Sequence, residues 1–362
     1  MKAKKNGKVF PKILCGLLAA ILLFTLGTYI SHRVKTAQEI ALLKEKGYYH
    51  PISVGDYSLN VSSFGNESGK HTFVGLAGLG SGDFSVSARQ MTAELEKDDL
   101  VVFVDRAGYG FSEDTEQEMT LACIVEDYRR ALQNAGIEAP YILLAHSVGG
   151  AYANYWVNQY PEEIEAVVFV DGSQLSEDAF ADEPVSLVTV WDRALTFLAK
   201  LGFSRYVLRD YYYHLPDNYS EEEQYLGDAL SLMTMDSIAP VSESVLLAPN
   251  AQEAFRGIVK NDVPKLYICA SWGIETNEEL IELKAWINRQ IEINRMDRKP
   301  LSLEPDNEGL ETLEKMRQDT IYPYAEKMGN CKVVCLGGDH MIYEQKPEEC
   351  GKIIKNFIDG LE

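Results

Sequence analysis

Three shortages narrow what this chain of 362 residues can be. Cysteine is sparse and scattered, at positions 15, 123, 269, 331, 335 and 350, with no C-x-x-C pair or Cys/His ligand spacing. Neither a zinc site nor a disulfide framework can be written from such a pattern. Cys331 and Cys335 flank a strand-like run and, in extended geometry, stand too far apart to bridge each other; buried free thiols are the expectation. Positive charge is short beyond residue 33, because six of the 34 Lys/Arg lie before that point, leaving 28 against all 55 acidic residues. A body that acidic is repelled by phosphate backbones and anionic membrane surfaces, so nucleic acid is not expected as a partner. The third shortage is a nucleotide signature. The loop Ala77-Gly78-Leu79-Gly80-Ser81-Gly82 has no Lys-Ser/Thr after it, so a phosphate cradle is disfavoured and no cofactor or metal is expected.

What is present begins at the amino end. Lys2, Lys4, Lys5, Lys8 and Lys12 precede an uncharged run of 18 residues, 13–30, just long enough to span a bilayer as a helix. Basic residues before the run place the amino end in the cytoplasm and the rest outside. The end of the run, Leu26-Gly27-Thr28-Tyr29-Ile30-Ser31, offers no A-x-A-like cleavage site, which favours an uncleaved signal anchor over a removed signal peptide. The expected order is a basic cytoplasmic segment 1–12, a transmembrane signal anchor 13–30, and a polar, helix-forming connector 31–49 that carries the body away from the membrane. The protein would then be a single-pass protein of the cell membrane with its body extracytoplasmic.

Further along, short apolar runs alternate with helical patterns. Residues 57–64 alternate like an antiparallel edge strand; 71–76, 100–104, 141–144 and 166–170 read as buried strands; 84–97 and 121–135 read as helices. This order predicts βαβ units, hence an α/β fold with a mostly parallel sheet covered on both faces. Functional groups gather at the carboxyl ends of such strands. The alternation stops over 172–262, which reads as an inserted helical cap between two core segments, 50–171 and 263–362. The cap is rich in aromatics: Trp191, Phe197, Phe203, Tyr206, Tyr211, Tyr212, Tyr213, Tyr219 and Tyr225, with Met233 and Met235. Most of these are expected to pack the cap on the body, and some to line a substrate cavity. After it come a strand at 265–270, a charged helical region over 275–327, a last strand at 331–336 and a closing helix at 346–358.

Ser147 lies where the run Tyr141-Ile142-Leu143-Leu144-Ala145-His146 gives way to a helical pattern. Ala145 and Gly149, two before and two after it, suit a turn so tight that bulk at either place would strike a neighbour; Ala145 departs by one methyl group from G-x-S-x-G. Together with the Gly-rich loop, Asp105-Arg106-Ala107-Gly108-Tyr109-Gly110-Phe111-Ser112 and Gly337-Gly338-Asp339-His340, this pattern resembles the α/β-hydrolase fold family from Tyr57 to the C-terminus. The wording is closest to cap-bearing bacterial serine hydrolases.

The resemblance implies a nucleophile at Ser147 and a base at His340, in the family's chain order Ser, Asp/Glu, His. The acid it implies is Asp171, at the end of the strand after the nucleophile helix; Glu275 is the alternative, because Ser271-Trp272-Gly273-Ile274 carries no carboxylate where most members do. The family's oxyanion hole maps onto the backbone N–H groups of Leu79 and Val148. His146 neighbours the nucleophile, and its side chain is expected to point away from that of Ser147. The expected activity is hydrolysis of a carboxylic ester, small or lipid-like, through an acyl-enzyme. A Ser nucleophile argues against the Asp-dependent chemistry of dehalogenases and epoxide hydrolases. An aminopeptidase or acyltransferase on the same fold, or a binding protein that has lost catalysis, are the alternatives.

Overall fold

A computed structural model describes residues 9–361 except 174, 179, 181–186, 208–213, 295 and 297. Lys2, Lys4, Lys5 and Lys8 of the basic segment, and Tyr211, Tyr212 and Tyr213 of the insertion, lie outside the described residues.

Runs of Val, Ile, Leu and Phe form an eight-stranded sheet: β1 (Pro51–Ser53), β2 (Ser58–Gly65), β3 (Thr72–Leu76), β4 (Leu100–Val104), β5 (Tyr141–His146), β6 (Ile164–Val170), β7 (Lys265–Cys269) and β8 (Cys331–Cys335). Their order is β1-β2-β4-β3-β5-β6-β7-β8. The β1–β2 and β2–β4 pairs are antiparallel and the remaining pairs parallel. All six residues of β5 are buried, as a central parallel strand with helices on both faces requires.

The helices are α1 (Val9–Glu45), α2 (Phe84–Ser87), α3 (Arg89–Thr92), α4 (Leu121–Asn134), α5 (Gly149–Gln159), α6 (Val190–Lys200), α7 (Ser204–Val207), α8 (Glu221–Thr234), α9 (Ala239–Val245), α10 (Leu247–Arg256), α11 (Asn277–Ile293), α12 (Asn307–Met316), α13 (Tyr322–Met328), α14 (Ile342–Gln345) and α15 (Pro347–Asp359). On one face of the sheet, Leu143 and Phe169 pack with Tyr128 of α4, Trp156 of α5 and Tyr324 of α13. On the other, Phe73, Ile142 and Val168 pack with Met91 of α3 and Ile354 of α15.

Several sequence expectations are corrected. The edge strand is β1, outside β2; three residues are too few to show alternation. The helix expected over 84–97 is broken into α2, α3 and a turn at Leu95–Lys97, where Ser85, Val86, Ser87 and Thr92 favour helix weakly and burial decides the path. Residues 13–30 and most of 31–49 form one uninterrupted helix, α1. Its C-terminal half does not carry the body away. Thr28, His32, Thr36, Glu39 and Leu43 make a stripe at helical spacing that is buried against the body. Arg205 donates to both carboxylate oxygens of Glu39, at 2.7 and 2.6 Å, and to Thr36 Oγ1 at 3.0 Å, while His32 Nε2 lies 3.0 Å from Asp236.

The helices α6–α10 fill the chain between β6 and β7. They meet the loop after β4: Gly110 N–H donates to Thr234 Oγ1 (3.0 Å), and Ile238 and Ala239 N–H to Asp114 Oδ1 (2.9 and 3.0 Å). Four of the aromatics expected to pack or line a cavity, Trp191, Phe197, Tyr206 and Tyr225, are instead exposed, whereas Tyr219 is buried. Trp191 and Phe197 on α6 and Tyr206 on α7 are exposed because these helices turn that side outward.

Candidate active site

β5 delivers Ser147 to the turn before α5 with φ of 52°, in the left-handed region that costs a non-glycine residue about 1–3 kcal/mol. Crowding explains the turn. A Cβ at Gly149 would lie 2.2 Å from the Leu76 carbonyl oxygen, so nothing larger than glycine fits between β3 and α5. The loop after β3 passes equally close, since a Cβ at Gly78 would be 3.1 Å from Ser147 Cβ.

Asp171, at the end of β6, is almost wholly buried and is held by four donors. Oδ1 accepts from Ala270 N–H (2.8 Å) and Ser271 N–H (3.2 Å); Oδ2 accepts from Ser271 Oγ (2.7 Å) and from His340 Nδ1 (2.8 Å). The His340 side chain, on the loop between β8 and α14, is 47% exposed. Burial acts against its charged form, but the hydrogen bond and charge of Asp171 outweigh it, and the pKa is raised from 6.5. Ser147, Asp171 and His340 line one cavity of about 350 Å³ together with Ser173, Phe180, Ser271 and Trp272. A larger cavity, about 700 Å³, lies beside β1 and β2 among His50, Glu67 and Glu138, and none of these groups reaches it.

His146 turns toward α14 and the His340 loop. Its Nε2 lies 3.0 Å from the His340 carbonyl oxygen, which assigns the Nε2–H tautomer, and its ring centroid is 4.7 Å from that of His340. Burial and the neighbouring His340 push its pKa down to about 3, so it is a neutral prop under the His340 loop. Glu275 stands elsewhere, 58% exposed and 3.9 Å from Arg317 Nη2. Of the two carboxylates weighed from sequence, Asp171 is the one brought to His340.

Val148 follows Ser147 in the chain, and Leu79 follows Gly78, whose backbone passes close to Ser147. Val148 precedes the first residue of α5, so its N–H belongs to the helix end whose donors lack intrahelical acceptors. The loop carrying Leu79 is tied from behind. Arg106 donates to the carbonyls of Ala77 and Gly78, both at 2.8 Å, and through Nε to Glu243 at 3.0 Å. Its guanidinium also lies 4.2 Å from the Tyr109 ring centroid, and Tyr152 donates to Glu243. In the sequence the segment 105–112 stands out only as part of the family pattern; this clamp escapes it because its other half, Glu243, is 137 residues away. Ser271 escapes it too, although its place just beyond β7, where most family members carry an acid, was the available signal. Among the described residues, no cluster of three or more His, Cys, Asp or Glu is arranged to hold a metal ion.

A mostly parallel sheet with this order, a serine on the turn after its central strand and a histidine after its last strand define an α/β-hydrolase fold. A family model for the alpha/beta hydrolase fold matches residues 75–211. The uncharacterized protein YbdG of Bacillus subtilis (strain 168) is 33% identical over 201 residues, covering 55% of this chain and 60% of YbdG. The putative methylesterase 12, chloroplastic, of Arabidopsis thaliana is 35% identical over 98 residues, 25% of this chain and 28% of that protein. The chain thus spans less than two thirds of either relative. The solved epoxide hydrolase CorEH superposes with a TM-score of 0.55 at 15% identity, over 87% of this chain and 99% of CorEH, a likeness of fold alone. The chain thus has the α/β-hydrolase fold, and its segment 75–211 matches the family model for that fold.

Proposed function

We propose that this protein is a serine hydrolase that cleaves a carboxylic ester of a small or lipid-like molecule, anchored in the cell membrane by residues 13–30, with its body outside and 172–262 as a cap over the site. The observation that carries the reading is the Asp171–His340 pair at 2.8 Å, opening on the same cavity as the strained Ser147. Ser147 Oγ attacks the ester carbonyl carbon as His340 Nε2 takes its proton. The carbonyl electrons go to oxygen, where the N–H groups of Leu79 and Val148 meet the negative charge. Collapse of the tetrahedral intermediate expels the alkoxide, which leaves as the alcohol with the proton from His340; a water molecule then repeats the sequence to release the acid. Asp171 keeps Nδ1 protonated and stabilises the imidazolium formed at each step.

Two further points support the reading. One helix, Pro11–Glu45, is long and apolar enough to cross a membrane. Ester chemistry is named for the putative methylesterase over the quarter of the chain it matches.

The test is a panel of p-nitrophenyl esters of increasing acyl length, given to the full-length protein and to Ser147→Ala. Hydrolysis that disappears in Ser147→Ala is expected; hydrolysis equal in both, or none with any ester, contradicts the proposal. The full chain is required, since α1 packs on the body from Thr28 to Leu43.

A further inference from the structure

Helix α6 is turned the wrong way round for a surface that faces water. Val190, Trp191, Leu195, Phe197 and Leu198 fall within one arc of the helix and are 82, 80, 63, 61 and 43% exposed, whereas Thr196 and Ala199 on the opposite side are buried. An amphipathic helix on a soluble domain turns its apolar stripe to the core. Here the stripe points out, and the polar back is tied down by ion pairs from Arg193 to Glu116 and Lys200 to Asp114. The exposed surface continues into α7, where Val207 is 62% exposed.

The turn between α6 and α7, which continues this face, adjoins α1 at the level of its apolar run. The rings of Phe203 and Phe24 meet edge-on with centroids 5.9 Å apart, and a Cβ at Gly202 would lie 2.6 Å from the Thr28 carbonyl oxygen. Higher up, the Tyr206 hydroxyl and Ser31 Oγ are 2.7 Å apart, and the Lys35 ammonium lies 5.9 Å from the Tyr206 ring centroid. At a rise of about 1.5 Å per residue, Phe24 sits about 9 Å inward of Ile30, the outer end of the run. Interfacial helices bury their apolar side to about 5–10 Å, the same depth. A bilayer that surrounds Phe24 therefore also reaches Phe203 and the apolar arc beside it.

We infer that α6 and α7 lie in the outer leaflet alongside α1, with this arc against lipid acyl chains. The inference rests on the reading of 13–30 as a membrane span. Tyr206 and Lys35 then stand where aromatic rings and long cationic side chains mark the water interface. The acidic surplus of the body makes the attachment apolar rather than electrostatic, so the matching surface is zwitterionic. Ser173 and Phe180 of the same insertion line the Ser147 cavity, so the segment that meets lipid also borders the site.

The test uses the full-length protein in phosphatidylcholine vesicles, with and without brominated acyl chains, and takes the Trp191 emission as the difference between the protein and its Trp191→Phe variant. Bromolipid is expected to remove most of the Trp191 emission, while aqueous iodide leaves it intact. Quenching by iodide and not by bromolipid, in protein that resists carbonate extraction, overturns the inference and leaves the anchor standing. Shielding from both quenchers assigns the face to a second copy of the chain and also overturns it. Release of the protein by carbonate overturns the anchor reading, and the inference with it.

Discussion

Asp171 Oδ2 and His340 Nδ1 are 2.8 Å apart although 169 residues of chain separate them. Asp171 follows β6, His340 follows β8, and β7 lies between, with Val170 opposite Ile268 and Cys269 opposite Cys335. The pair therefore exists only when three parallel strands have found their register. The same strand ends supply Ala270 N–H and both Ser271 donors, which hold the carboxylate in place before any substrate arrives.

Asp171→Asn keeps the shape of the side chain and removes the charge that fixes the His340 tautomer. By analogy with other serine triads, kcat should fall by roughly 10⁴ with KM little changed. Glu275→Gln, at the carboxylate facing Arg317, should leave turnover within about twofold, as expected for a surface group. Steady-state hydrolysis of a p-nitrophenyl ester reads both.

The pH profile follows from the raised pKa of His340. A base must be neutral to act, so activity should rise with pH along an acid limb whose midpoint lies above 6.5, the ordinary value. Stability runs the other way. The contribution of the imidazolium–Asp171 pair is fully present below 6.5 and is lost as pH rises through the higher folded-state value. A plot of kcat/KM against pH locates the limb, and Asp171→Asn should move it downward.

Ser271→Ala removes one charge-assisted hydrogen bond from Asp171 Oδ2 and leaves the other three. Such a bond contributes about 1.5–3 kcal/mol to stability, so the midpoint of thermal unfolding should fall, while kcat should drop by no more than roughly 10-fold, well short of Asp171→Asn. Because the carboxylate is then less satisfied, its hold on the His340 proton strengthens and the acid limb should shift upward, opposite to Asp171→Asn.

Arg106→Gln leaves Glu243 buried without its ionic partner and frees the carbonyls of Ala77 and Gly78. Breaking such a pair typically costs about 3–5 kcal/mol. The midpoint of thermal unfolding should fall accordingly. In whatever protein remains folded, kcat should fall more than KM rises, because the loop bearing Leu79 has lost its clamp.

The parts of the fold legible in the sequence were those written in local pattern. β4 begins and ends where the apolar run 100–104 does, and Ser147 sits at the strand-to-helix turn that Ala145 and Gly149 foretell. What escaped notice depends on partners distant in the chain. The stripe Thr28, His32, Thr36, Glu39, Leu43 looks polar until Arg205 and Asp236 are set against it, so a spacer was expected where a docked helix stands. Ser271 and His146 gain meaning only beside Asp171 and His340. The side that the apolar arc of α6 faces also depends on distant partners, the ion pairs of Arg193 with Glu116 and Lys200 with Asp114.

The account turns on Ser147 as an activated nucleophile, and reaction with a fluorophosphonate probe tests that most directly. The folded full-length protein should form one covalent adduct, mapped by mass spectrometry to Ser147 and absent from Ser147→Ala. Labelling should be strongly slowed in Asp171→Asn. Folded protein that forms no adduct at Ser147, or an adduct on another serine that persists in Ser147→Ala, would contradict it.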